Sequence, residues 1–236
     1  MREKTEVLVS GSDDHPVILI DSQQLYVVER FNYLGCMIDG RSGEKKDVKA
    51  RIGKAAAAFS LLSKQLWRRR DISNATKFRV YNASVRPILL YGCETWPLLV
   101  KDVNLLCAFE RRCYRRILRL LPRMHIDDAI IKSRFPNYTP VVADIQRRQL
   151  RWLGHVLRMD ACRLPRKLFL SVTPAKTKKR PGGQPKSWDA TVRALLDDKL
   201  KRTYGRDWYV DWKRVLTDVA CDRAQWKMLV EDCCDG

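Results

Sequence analysis

Nine arginines in two short stretches carry the plainest chemistry in this sequence. Arg147, Arg148, Arg151 and Arg158 recur, with His155, at spacings that share one half of a helical wheel. Ile145, Leu150, Trp152, Leu153, Val156 and Leu157 take the other half. Arg111, Arg112, Arg115, Arg116 and Arg119 stand in the same way opposite Leu106, Phe109, Cys113, Tyr114, Ile117, Leu120 and Leu121. A guanidinium is planar and permanently charged, and its paired N–H donors match a phosphate bidentately. Such rows grip backbones and do not identify bases. A solvated helix face is the simpler reading of any one stretch, and the recurrence argues against it. Trp152 falls on the apolar half and is expected in the core, with stacking on an unpaired base as the alternative.

The remaining residues of chemical interest are sparser. Asp13-Asp14 could suggest metal chemistry, but they follow Ser10-Gly11-Ser12 in a turn-like stretch. His155 and Cys162 make a poor metal pair, and none of the three histidines is spaced with cysteines as a zinc finger requires. The eight cysteines include no Cys-x-x-Cys, and with no apolar signal segment at the N-terminus they read as reduced intracellular thiols. No run of about 18 apolar residues is present. The balance of 46 Lys+Arg against 27 Asp+Glu, a formal +19, favours a polyanionic partner.

Helices must hold the arginine rows, and the sequence predicts a mainly α fold. Residues 1–40 are the exception: Glu6–Ser10, Pro16–Ile20, Leu25–Val28 and an alternating Phe31–Ile38 read as short strands between Gly/Ser/Asp turns. From Asp47 to Arg69, Val48, Ile52, Ala55, Phe59, Leu62 and Leu66 keep helical spacing, with Lys49, Arg51, Lys54, Lys64 and Arg68 as decoration. Asp71-Ile72-Ser73 should stop that helix and cap the next, about 74–91, which Pro87 should kink or split. Asp102 is the candidate cap of a helix over 103–121, and a shorter helix should run from Asp127 to Arg134. Residues 171–187 are basic and Pro/Gly-rich, a linker carrying Lys178, Lys179 and Arg180 as phosphate-contacting or nuclear-localising cations. Residues 188–236 should form a small helical appendage with solvated acidic residues at its end.

Several stretches occur together in a familiar order: Lys4–Leu8, Phe31-Asn-Tyr-Leu-Gly35, Lys49-Ala-Arg-Ile-Gly53, Tyr81-Asn-Ala-Ser-Val85, Leu90-Tyr-Gly-Cys-Glu-Thr-Trp96, Arg112–Leu118 and Leu150–Met159. Over about residues 1–190 the chain resembles the C-terminal part of reverse transcriptases from LINE-like, non-LTR retrotransposons. The resemblance implies that residues 1–40 are the end of a polymerase palm, a small β-hairpin remnant of its sheet. Residues 41–100 would be thumb-like helices and 101–170 an Arg-rich helical region, so that a bundle of basic amphipathic helices follows the hairpin. It implies a pyrophosphate-assisting role for Lys4 and a primer-grip role for Phe31, Tyr33, Leu34 and Gly35.

The same resemblance places the catalytic aspartates, and the two divalent metals (Mg) they would hold, in a palm and fingers region upstream of Met1. Asp13-Asp14 lie on the wrong side of the lysine motif to replace them, so the chain is expected to carry no cofactor and to be inactive alone. The expected partners are RNA, an RNA/DNA hybrid or DNA, together with that upstream region; the expected setting is the nucleus or cytoplasm, away from membranes. Alternatives are a full reverse transcriptase whose start lies upstream, a degenerate element remnant, and a membrane-surface or partner-helix binder, since basic amphipathic helices suit the last as well.

Overall fold

A computed structural model describes residues 5–9, 17–20, 23–33, 35–39, 47–121, 123–171, 187–205 and 208–234. The fold is mainly α with a small N-terminal hairpin, and the chain divides into two compact units, 1–92 and 93–236. Among the described residues no helix is long and apolar enough to cross a membrane.

The first unit opens with six short strands: β1 (Glu6–Leu8), β2 (Leu19–Ile20), β3 (Gln23–Gln24), β4 (Tyr26–Val28), β5 (Arg30–Tyr33) and β6 (Cys36–Asp39). β1 pairs in parallel with β4, while β2–β3 and β5–β6 pair antiparallel. The single alternating strand expected over 31–38 is instead two, because the chain reverses between the paired Tyr33 and Cys36. Gly35 makes that reversal possible: its φ of 82° lies in the left-handed region where a side chain is strained.

Three helices follow: α1 (Asp47–Leu61), α2 (Asn74–Val80) and α3 (Arg86–Leu89). α1 stops earlier than its pattern suggests and passes into a π turn, Ser63–Trp67. That turn lays Trp67 flat on Phe59, with ring centroids 4.6 Å apart, and its indole N–H donates to the Phe59 carbonyl at 2.6 Å. Ser73 caps α2 as expected, its hydroxyl accepting from the Thr76 N–H at 3.1 Å. The interruption expected from Pro87 takes the form of a second π turn, Tyr81–Val85. A proline has no N–H for the carbonyl four residues back and its ring crowds that carbonyl, so a widened turn relieves both faults. Tyr81, Val85, Leu89 and Leu90 are thereby fully buried.

The second unit holds α4 (Val100–Ile117), α5 (Asp128–Arg134), α6 (Val141–Leu157), α7 (Leu164–Ser171), α8 (Trp188–Tyr204), α9 (Trp212–Cys221) and α10 (Arg223–Cys234). α4 starts two residues before the predicted cap, with Leu99 in the cap position. Asp102 acts from inside the first turn, its carboxylate accepting the Leu99 N–H at 3.2 Å. The helix also ends early, in a Schellman closure: Leu120 N–H reaches the Arg115 carbonyl and Arg119 N–H the Arg116 carbonyl, with Arg119 at φ 56°. Leu121, expected on the apolar side, lies past this closure and is exposed. α5 is capped by Asp127, whose carboxylate accepts the Ile130 N–H at 2.8 Å.

α6 is the helix around which this unit is built. Leu150, Leu153 and Leu157 share one core with Val192, Leu196 and Leu200 of α8, Leu216 and Val219 of α9, and Trp226 and Val230 of α10. Gln149, buried among them, donates to the Trp96 carbonyl at 2.7 Å and to that of Cys93 at 3.4 Å. The C-terminal helices thus share the core of α6. Their tryptophans, Trp208 and Trp226 buried and Trp188 half-buried, satisfy their N–H groups: Trp188 at the Glu94 carbonyl (2.6 Å), Trp208 at the Asp197 carboxylate (3.0 Å) and Trp226 at the Leu150 carbonyl (3.0 Å).

Candidate nucleic-acid interface

The residues predicted to meet phosphate fall into distinct environments. In the first unit Lys49 and Lys54 project from α1 into solvent. Arg51 does not. It is 6% exposed, lies 3.7 Å from the Asp47 carboxylate, donates to the Gly35 carbonyl and sits 4.4 Å over the Tyr91 ring. Its charge holds the hairpin turn against α1 and is spent inside the fold, which corrects its reading as a phosphate contact. Phe31 is half-buried on β5, and Tyr33 and Gly35 flank the hairpin turn. Lys4, Leu34, Asp13-Asp14, Lys178, Lys179 and Arg180 lie outside the described residues.

On α4, Arg112, Arg116 and Arg119 are exposed. Arg111 lies 4.0 Å from Asp128, and Arg115 donates to the Met124 carbonyl at 3.3 Å. These five surround a core face in which Leu106, Phe109, Cys113, Tyr114 and Ile117 are buried, as their spacing requires. Burial pushes the Cys113 thiol up to about 12, so it stays protonated and inert at neutral pH.

The α6 row is different, because α10 lies along it. Arg147 and Arg151 both reach Glu231, at 3.3 and 3.2 Å, and Arg148 pairs with Asp144 at 3.1 Å. Arg158 donates to the Ala220 carbonyl at 2.9 Å. Glu231 belongs to the acidic end that was expected to be solvated; it is half-buried and bridges two arginines. Gly154 permits this approach. A Cβ there would stand 2.2 Å from the Trp226 indole nitrogen, far inside contact distance.

Where α10 leaves the row uncovered, a groove of about 620 Å³ opens. Its rim carries Arg151, Arg158, Arg163, Arg223, Lys227 and His155, and Trp226, Val230 and Met159 contribute apolar lining. Arg158 and Arg223 are close enough that, after partial burial, the charge of Arg223 is the next cause weakening the hold of Arg158 on its proton. Two guanidinium groups set against each other in this way leave a positive field that an anion would relieve. Asp160 is the one carboxylate in the lining, and it is engaged in a turn, accepting the Cys162 N–H at 2.9 Å. That bond, first among its causes, holds the carboxyl below its usual range.

Sequence reasoning missed Arg163, Arg223 and Lys227, because Arg163 lies past the periodic stretch that ends at Arg158 and the C-terminal helical residues were read for their tryptophans and acidic end. Asp222, whose carboxylate accepts from Ala224 and Gln225 N–H, is the cap signal that could have revealed a helix start and its basic first turn. Trp152 is also corrected. It is 36% exposed, its ring 5.4 Å from that of His155, on the flank of α6 between core and groove.

No set of three or more His, Cys, Asp or Glu side chains suited to a metal ion occurs among the described residues. Comparison with protein-family models, with curated proteins and with solved structures returned no match.

Proposed function

We propose that the chain binds nucleic acid through its phosphates, as the thumb and following helical region of a LINE-like reverse transcriptase would. The observation that carries this reading is the groove in the second unit, where Arg158, Arg163, Arg223 and Lys227 converge with His155 beside one lining carboxylate, Asp160, that is already engaged, while Arg151 at its edge is shared with Glu231. Arg112 and Arg116 on the exposed face of α4 supply further phosphate contacts. Template–primer duplex or element RNA is the intended ligand. The polymerase chemistry, and its two divalent metals, belong in this proposal to palm aspartates outside this sequence.

The test is binding of the purified chain to RNA and to an RNA/DNA hybrid across a salt series, with anionic vesicles as competitor. Charge reversal of Arg163, Arg223 and Lys227 together is the informative variant, because all three are exposed and hold no ion pair among the described residues. Each lost phosphate contact should flatten the log–log salt slope by about 0.7 to 0.9. The triple variant should thus lose about two slope units and several kcal/mol of affinity, with helicity unchanged. Wild-type affinity in that variant would remove the groove from the interface. Displacement of the RNA by vesicles would favour a membrane-facing surface instead.

A further inference from the structure

We infer that the groove takes a single polynucleotide strand, with one unpaired base stacked on Trp152 and the adjoining phosphates on Arg158, Arg163 and Arg223. This rests on the nucleic-acid reading above and adds which form of nucleic acid the site selects. An indole 36% exposed is out of character for α6, where Leu150, Leu153 and Leu157 are no more than 1% exposed. Its surroundings are equally specific. The neighbour before it, Arg151, lines the groove, and so does His155 one turn later, whose ring lies at 41° to the indole with centroids 5.4 Å apart. Trp152, outside the lining itself, extends from His155 as the second ring of an aromatic ledge, while Met159, Trp226 and Val230 give the groove apolar lining.

A duplex offers the protein its phosphates and groove edges, with base faces stacked internally, so an aromatic ledge has nothing to grip on it. An unpaired strand offers both parts at once: a π-face for the indole and a phosphate on either side for the guanidinium groups. The volume of about 620 Å³ lies within the range of small-ligand sites and can house a nucleotide. Stacking accepts any base, so the ledge by itself selects an unpaired strand and not a sequence.

The experiment measures anisotropy of a labelled 12-nucleotide RNA, the same strand with abasic sites, and its duplex. It uses the full chain and the variants Trp152→Ala, Trp152→Phe and the triple charge reversal. Wild type should prefer the intact strand over the abasic one about tenfold, the scale of one base–aromatic stack. Trp152→Ala should erase that preference without changing the affinity for duplex or the melting temperature, and Trp152→Phe should keep most of it. Equal wild-type affinity for intact and abasic strands would overturn the stacking role, and this comparison needs no variant to fold. A Trp152→Ala variant that keeps the preference would overturn it as well. Loss of all binding in the triple variant, beside an unaffected Trp152→Ala, would leave the groove standing and reject only the ledge. Wild-type binding in the triple variant would reject the groove itself.

Discussion

Helices α4 and α6 carry nearly the same amphipathic wheel, and the fold uses them in opposite ways. α4 leaves Arg112 and Arg116 in solvent, with weak contacts drawing in Arg111 and Arg115. α6 has its row engaged by α10: Glu231 holds Arg147 and Arg151, Trp226 presses onto Gly154, and the Ala220 carbonyl at the end of α9 takes Arg158. The difference is not in the arginines. It lies in one glycine that lets an indole approach, and in one glutamate placed on a helix more than seventy residues away. A polar helix face is therefore free only if no later element has the shape to cover it.

The largest way to break this contrast is Trp226→Ala, which removes a buried ring and its bond to the Leu150 carbonyl. It should cost about 3–5 kcal/mol by thermal or denaturant unfolding. Arg112→Ala and Arg116→Ala on α4 should each change stability by less than about 0.5 kcal/mol. Next comes Gly154→Ala. Alanine gains about 1 kcal/mol of helix propensity. Displacing a rigid buried indole costs more, so a net loss of about 1–3 kcal/mol is expected. A melting temperature equal to or above wild type would show that α10 does not press on α6.

Glu231→Gln sharpens the comparison by making α6 resemble α4. Stability should fall by no more than about 1 kcal/mol, because these ion pairs are partly solvated. Affinity for RNA should rise and its salt slope steepen, since the exposed Arg151 becomes available to phosphate. An unchanged slope would mean that Glu231 is not what withholds it. The smallest effect is expected at Arg119→Gly. Its φ of 56° suits glycine, and relief of the left-handed strain should stabilise the α4 terminus by about 0.5–1 kcal/mol in equilibrium unfolding. A loss would show that the arginine side chain contributes more than its backbone costs.

Helix existence, and most buried positions, could be read from periodicity. The core faces of α1, α4 and α6 and the cap at Ser73 follow from local patterns. Where reading failed, the missing information was held elsewhere in the chain. Arg51 has the same spacing as Lys49 and Lys54, yet its burial depends on Asp47, Gly35 and Tyr91 surrounding one guanidinium. Trp152 sits at the edge of the apolar half of its wheel, where periodicity alone does not decide between core and solvent. The C-terminal tryptophans were visible, but their destinations at Glu94, Asp197 and Leu150 were not.

By itself the sequence determined the charge, the helical periods and therefore the mainly α class, because amphipathic spacing and net charge are local or additive properties. Only the tertiary structure decided which arginines still face solvent, where a groove opens between α6 and α10, and that Trp152 keeps an exposed ring beside His155 of its lining. Those outcomes depend on pairing between residues distant in the chain, and no local pattern encodes the partner a side chain will meet.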